Sequence, residues 1–227
     1  MIEEILPAGT ASAEAFGDPD SLSLFPEEEA QISRAVEKRR REFGTVRLCA
    51  RRALAELGVP AAPILPGERG APQWPAGVVG SMTHCDGYRA AAVALSDAIA
   101  TIGIDAEPHA PLPDGILGHI ALASEQTLLA ELGRASPAVH WDRLLFCAKE
   151  SVYKAWFPLA RTWLGFEEAD IVLRPDGTFS ARLLAASTPV LAGQALTGFE
   201  GRWLARRGLA ITAISLPVGA SAHDHAG

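Results

Sequence analysis

The chain has 227 residues, 48% hydrophobic and 21% charged, with a net charge of −7, the profile of an ordinary globular protein of one large or two small domains. No apolar run approaches the roughly 20 residues of a membrane span and no basic-then-apolar leader opens the chain, so a cytoplasmic protein is expected. Three scattered cysteines, Cys49, Cys85 and Cys147, exclude a disulfide framework or a Cys-rich zinc site and read as small core residues.

Residues 1–25 show no sustained period and predict loop with one short strand. Pro26 followed by Glu27, Glu28 and Glu29 starts a helix, because proline suits a first helical position and acids suit the positive end of the dipole. That helix is predicted to run into Lys38-Arg39-Arg40-Arg41 at its negative end. A second helix over Thr45 to Leu57, stopped by Gly58, carries Arg47 and Arg51 four residues apart. The charge is unevenly spread: residues 1–30 hold eight acids and no base, residues 31–60 eight bases against three acids. The acidic total speaks against a general nucleic-acid binder, whereas a confined basic patch fits a small polyanion. A solvated basic face and an anion held between arginine forks remain equal readings of this stretch.

Five prolines punctuate residues 60–75, with Pro66-Gly67-Glu68-Arg69-Gly70 a tight turn. Val78 to His84 and Tyr88 to Leu95 predict two strands joined at Cys85-Asp86-Gly87. Ile99 to Pro108 predicts a buried strand whose end sets Asp105 and Glu107 on one side, since alternate residues of a strand share a face. Two carboxylates on one face repel unless a proton or cation sits between them, which makes the pair a candidate hard-cation site, although a strand reaching solvent gives the same pattern.

His109 to Gly115 is a Pro-rich crossing, followed by a helix from Ser124 to about Leu132 and a break at Gly133 to Pro137. Trp141 to Trp156 predicts a helix buried on most of its circumference. It carries Glu150 and Lys154 at i and i+4, about one turn apart on one face. Alone, such a pair is ordinarily structural; Asp105 and Glu107 are the second acidic cluster that gives it something else to do. An aromatic connector over Arg161 to Phe166, with Glu167, Glu168 and Asp170 on its rim, leads to strands at Ile171–Leu173, Gly201–Leu204 and Leu209–Ile214. Residues 217–227 predict a disordered tail whose two histidines make no metal site.

Three motifs in this order, Gly80-Ser81-Met82-Thr83-His84-Cys85, Gly103-Ile104-Asp105-Ala106-Glu107-Pro108 and Ala148-Lys149-Glu150-Ser151-Val152-Tyr153-Lys154, resemble the signature of the Sfp-type 4′-phosphopantetheinyl transferases. The likeness is greatest to the actinobacterial branch that includes the mycobacterial enzyme. It covers most of the chain, including Lys38-Arg39-Arg40, Trp141-Asp142-Arg143 and Lys154-Ala155-Trp156-Phe157-Pro158. The resemblance implies an α/β (α+β) fold: a pseudo-dimer of two similar lobes, residues 1–108 and 109–216, each a mostly antiparallel sheet packed on helices, with the active site between them.

The implied reaction is transfer of the phosphopantetheine arm of coenzyme A to a serine of an acyl or peptidyl carrier protein by a monomeric enzyme, releasing 3′,5′-adenosine bisphosphate. By the same resemblance Asp105, Glu107 and Glu150 are ligands of magnesium, or manganese in its place, and Lys154 sits beside the coenzyme A phosphates. Arg39, Arg47 and His84 hold the 3′-phosphate end, Thr83 lies at the pyrophosphate, and the loop Pro66, Gly67, Glu68 and Arg69 passes over the nucleotide. Pro66 departs from the pattern, which has a lysine there: either coenzyme A is held less tightly or Arg69 takes part of that role. Trp163, Leu164 and Phe166 are expected to form an apolar docking patch for the carrier, unless they fill core. A metal-dependent phosphodiesterase and a non-catalytic coenzyme A or carrier binder are the alternatives.

Overall fold

The computed structural model describes residues 1–219. After β1 (Thr10–Ala15), two helices, α1 (Pro26–Gln31) and α2 (Glu37–Glu56), lead to β2 (Val78–Cys85), β3 (Tyr88–Leu95) and β4 (Ile99–Pro108). Then come α3 (Ile116–Ile120), α4 (Ala123–Ala135) and α5 (Trp141–Ala160), followed by β5 (Ala169–Leu173) and β6 (Thr178–Leu183). A small hairpin, β7 (Val190–Leu191) and β8 (Gln194–Ala195), precedes β9 (Gly198–Arg206) and β10 (Leu209–Pro217). The strands form a three-stranded sheet in the order β1-β3-β2 and a five-stranded sheet in the order β4-β10-β9-β6-β5, with every pairing antiparallel. The fold is therefore of the mixed α/β class, with antiparallel sheets packed on helices. Among the described residues no helix is long and apolar enough to cross a membrane.

The helix α2 covers the small sheet through Cys49, Ala50, Ala53 and Leu54, all fully buried, while α5 covers the large one through Leu144, Cys147, Ala148 and Val152. Strand β4 belongs by hydrogen bonding to the large sheet, where it pairs with β10 from Thr101↔Leu216 to Pro108↔Leu209. It also lies against β2, and there side chains replace a backbone ladder. Ser81 Oγ accepts from the Ile104 N–H and Thr83 Oγ1 from the Ala106 N–H, both at 3.1 Å. The Ser81 and Thr83 hydroxyls thus satisfy buried donors along the seam between the sheets.

Several elements differ from the sequence reading. The first helix stops at Gln31, and Lys38-Arg39-Arg40-Arg41 opens α2 instead of closing α1. Arg40 donates to the Ile32 carbonyl at 2.9 Å just beyond the end of α1. Four bases at the positive end of a helix dipole gain nothing from it, so the dipole does not explain their position. Gly133 is absorbed within α4, and α5 continues through Pro158 to Ala160, ending at Arg161 in the left-handed region. Strand β6 and the β7-β8 hairpin lack strong turn-bounded apolar runs and were not anticipated. Residue 217 is not tail: β10 reaches it, and the Val218 N–H donates to Ala98 at 2.9 Å. The rest of the expected tail, 220–227, lies outside the described residues.

Candidate active site

One face of β4 meets α5. Its residues alternate, so Ile102, Ile104 and Ala106 go to the apolar core shared with β3, while Thr101, Gly103, Asp105 and Glu107 turn to the helix. Each does something different there. Thr101 Oγ1 donates to the Ala155 carbonyl at 2.8 Å. Gly103 lets the backbones close: a Cβ at that position would lie 2.0 Å from the Ser151 carbonyl oxygen. Asp105 Oδ1 accepts from Lys154 Nζ at 2.7 Å and from Thr83 Oγ1 at 3.2 Å. Glu107 Oε2 is 3.3 Å from Arg143 Nη1, an arginine of the first turn of α5. Missing bulk at Gly103 is what brings the carboxylates of β4 and the charges of α5 into one place.

The electrostatics of this junction are unbalanced. Asp105 is buried, and its second oxygen, Oδ2, has no hydrogen-bond partner among the described residues, a costly state for an ionised carboxylate. Burial, and then the charge of Asp105, hold both Glu107 and Glu150 above the usual carboxylate range, against the partial relief of Lys154 and, for Glu107, of Arg143. Burial alone would lower Lys154, but Asp105 and Glu150 more than offset it and leave the ammonium above its ordinary value. An all-oxygen set of three acids with one bare buried oxygen fits a hard cation of the magnesium type. As the side chains stand, no three His, Cys, Asp or Glu among the described residues are placed to hold an ion; Asp105 Oδ1 is engaged by Lys154 and Glu107 Oε2 by Arg143.

Beside the junction, between α2, β2, the 66–74 segment and α5, lies a cavity of about 1010 Å³. Arg39, Arg47, His84, Glu150, Lys154 and the whole loop Pro66, Gly67, Glu68 and Arg69 line it, while Thr83, Asp105 and Glu107 stand behind its wall. Arg39 Nη1 lies 3.0 Å from His84 Nε2, and burial, then the Arg39 charge, push the His84 imidazole below its ordinary value. The guanidinium N–H donates and the imidazole nitrogen accepts, and Lys154 and Glu150 share the cavity wall with this pair.

Arg47 lines the cavity, yet its guanidinium is buried, bonded to the Ile64 and Phe43 carbonyls at 2.9 and 3.3 Å, and burial pushes it down to about 10. Arg51, its neighbour four residues on, is not free for an external anion: the fully buried Glu28 takes it at 2.9 Å. Thr83 is also committed, donating to Asp105 and accepting from Ala106.

A smaller cavity of about 260 Å³ opens on the other side of Glu150 and Tyr153, lined by Trp163 and Phe166. Leu164 is core, whereas Trp163 is 58% exposed and packs against Tyr153 with ring centroids 5.0 Å apart and the rings tilted by 53°. Two participants went unassigned in the sequence. Tyr153 joins the two cavities. Arg143 had a signal: with Glu150 seven and Lys154 eleven positions on, all three fall on one side of the helix.

A cleft lined by arginine, histidine, lysine and the Glu150 carboxylate, on a two-sheet α/β frame, suits an enzyme of phosphoryl chemistry. Two family models match the chain, the 4′-phosphopantetheinyl transferase N-terminal domain over residues 27–94 and the 4′-phosphopantetheinyl transferase superfamily over residues 101–206. The 4′-phosphopantetheinyl transferase Svp of Streptomyces mobaraensis is 57% identical over 221 residues, 95% of this chain and 89% of its own. PptT of Mycobacterium tuberculosis is 51% identical over 226 residues, with 95% and 98% covered, and Npt of Nocardia iowensis 53% over 223, with 95% and 99% covered. The chain belongs to the 4′-phosphopantetheinyl transferases, and these three relatives are actinobacterial enzymes.

Proposed function

We propose that this enzyme moves the 4′-phosphopantetheine arm of coenzyme A to a serine of apo acyl or peptidyl carrier proteins, as a cytoplasmic monomer. The observation that carries this reading is the junction of β4 and α5, where Glu150 and Lys154 line a cavity of about 1010 Å³ and Asp105, with its bare buried oxygen, and Glu107 stand just behind its wall.

In this mechanism Arg39 and His84 bind the 3′-phosphate and fix the nucleotide's orientation. The Pro66–Arg69 loop covers it. Lys154 faces the pyrophosphate oxygens and neutralises the charge that builds there. Glu150 takes the proton of the carrier serine, a task suited to a carboxylate held above its usual range. The serine oxygen bonds to the phosphorus that bears the pantetheine, the bond from that phosphorus to the bridging oxygen breaks, and 3′,5′-adenosine bisphosphate leaves with the electron pair. Asp105, Glu107 and Glu150 would hold magnesium or manganese, which would supply further positive charge at the pyrophosphate. Exposed Trp163, with Phe166 behind it, offers an apolar contact to the carrier.

Incubation with magnesium, coenzyme A and an apo carrier, followed by weighing the carrier, should show the gain of one phosphopantetheine. Glu150→Gln should abolish the gain and leave part of the coenzyme A binding. No gain on several unrelated apo carriers sinks the proposal, and wild-type turnover in the variant removes Glu150 from it.

A further inference from the structure

Helix α5 is held on the large sheet by more than apolar contact. Strand β10 pairs with β4 so that Thr212 stands opposite Asp105, and because cross-strand partners share a face, Thr212 also turns to the helix. Its hydroxyl has one proton to give, and gives it to the Cys147 carbonyl at 2.9 Å. Ser151 Oγ then donates to Thr212 Oγ1 at 2.6 Å. Two residues along β10, opposite Glu107, the Ala210 carbonyl accepts from the Cys147 thiol at 3.4 Å. On β4 itself Thr101 grips the Ala155 carbonyl. Cys147, Ser151 and Ala155 follow one another at intervals of four, so these grips form a single row along the helix.

That row bears directly on the reacting groups. Glu150 and Lys154 each precede a member of it by one residue, about 100° round the helix, so a rotation or slide of α5 on the sheet moves both against Asp105. Apolar packing is non-directional and resists such motion weakly, whereas hydrogen bonds fix direction as well as distance. The helix cannot stiffen this turn by itself: Pro158 has no N–H, so the Lys154 carbonyl receives no bond from it. Thr212 is fully buried and lines neither cavity, so its hydroxyl reaches the reaction only through the helix.

Resting on the proposed roles of Glu150 and Lys154, we infer that Thr212, with Thr101, is a positioning residue for the transfer: its hydroxyl sets the rotation of α5 that places Lys154 Nζ 2.7 Å from Asp105. Thr212→Val keeps the branched shape and removes the hydroxyl, which frees the helix from the strand beside Asp105. Thr212→Ser keeps the hydroxyl and loses only a methyl group.

Steady-state kinetics and crystal structures of the full chain test this. Thr212→Val should lower kcat about tenfold to a hundredfold, the scale of a small misplacement of reacting groups, with the KM for coenzyme A within about twofold of wild type. Thr212→Ser should bring kcat back to within about twofold of wild type. The structure of the valine variant should show the Lys154–Asp105 contact opened beyond about 3.2 Å, and that of the serine variant should show it kept. Glu125→Ala, whose lost pair lies away from the row, is the control for stability alone. A valine variant that keeps either the contact or the wild-type kcat overturns the inference. So does a serine variant as slow as the valine one, or an equal fall in kcat per folded molecule in Glu125→Ala. If Thr212→Val does not fold, Thr101→Val, which releases the Ala155 carbonyl, is judged by the same outcomes. A wild type that modifies no carrier strikes the proposed function instead, and the structures still decide what places Lys154.

Discussion

Two carboxylate–lysine pairs, one fully buried and one with a part-exposed lysine, are rooted in α5 five residues apart, and they are finished differently. At Lys149, the ammonium meets Glu125 at 2.9 Å and the carbonyls of Phe166 and Ala169 at 2.7 and 2.8 Å. Glu125 in turn accepts from the Leu122 and Ile171 N–H groups, both at 2.7 Å. Every oxygen and proton of that pair is used, and it ties α4 and the edge strand β5 to α5. At Lys154 the partner Asp105 keeps one buried oxygen bare, and Glu150, which also faces it, is held above its usual range. The same residue types in the same helix are thus complete where they support the fold and incomplete where a substrate is to arrive.

The largest test separates the pairs by what each loses. Glu125→Ala leaves a buried ammonium without its counter-charge and two strand and helix N–H groups unsatisfied, so unfolding free energy should fall by about 3–5 kcal/mol. Transfer per folded molecule should stay near wild type. Asp105→Asn keeps the shape and removes the charge; transfer should fall about a thousandfold or more, on the scale of a lost electrostatic group in a reacting centre, with a smaller loss of stability. Chemical denaturation with single-turnover transfer on the same preparations reads both. A reversal of the two effects would remove the distinction.

The arginines offer a second, smaller contrast. Arg51 is satisfied internally by Glu28, while Arg39 is exposed and its nearest partner is His84. Arg39→Gln should raise the KM for coenzyme A about tenfold and leave kcat nearly unchanged, the mark of an interaction made equally in ground and transition states. Arg51→Gln should lower stability and leave that KM alone. Steady-state kinetics at saturating carrier distinguishes them; an equal KM change in both would return the basic stretch to a general charge effect.

These contrasts show how much the sequence carried. The strand period placed Asp105 and Glu107 on one face and the helix period placed Glu150 and Lys154 on another, both short-range information; that Gly103 lets the two meet depends on Ser151 across the fold. The fates of Arg47, Arg51 and Thr83 were not legible, because each is settled by a partner distant in the chain: Ile64 and Phe43, Glu28, and Asp105. The division between α1 and α2 was missed for the same reason, since dipole reasoning sees only the helix itself, whereas the Ile32 carbonyl is taken by Arg40. Arg143 had the right spacing, but its guanidinium is held by the Ala110 and Pro111 carbonyls, and no residue pattern announces those.

The smallest effect bears most directly on the unfinished pair. Burial and Asp105 raise Glu150 in the folded state, so the folded protein binds that proton more tightly than the unfolded chain. The stabilisation that comes with the protonated form is fully present below the unfolded-state value of about 4.3, and is lost as pH rises through the raised folded value. Glu150→Gln imitates the protonated form at every pH. Without ligands it should therefore melt higher than wild type at neutral pH, by on the order of 2 °C, and no higher at or below about pH 4. Adding magnesium and coenzyme A should reverse the order at neutral pH, because ligands that use the ionised carboxylate stabilise the wild type more. A variant that melts below wild type without ligands would mean that Glu150 is already paired, and the second α5 pair would then be as complete as the first.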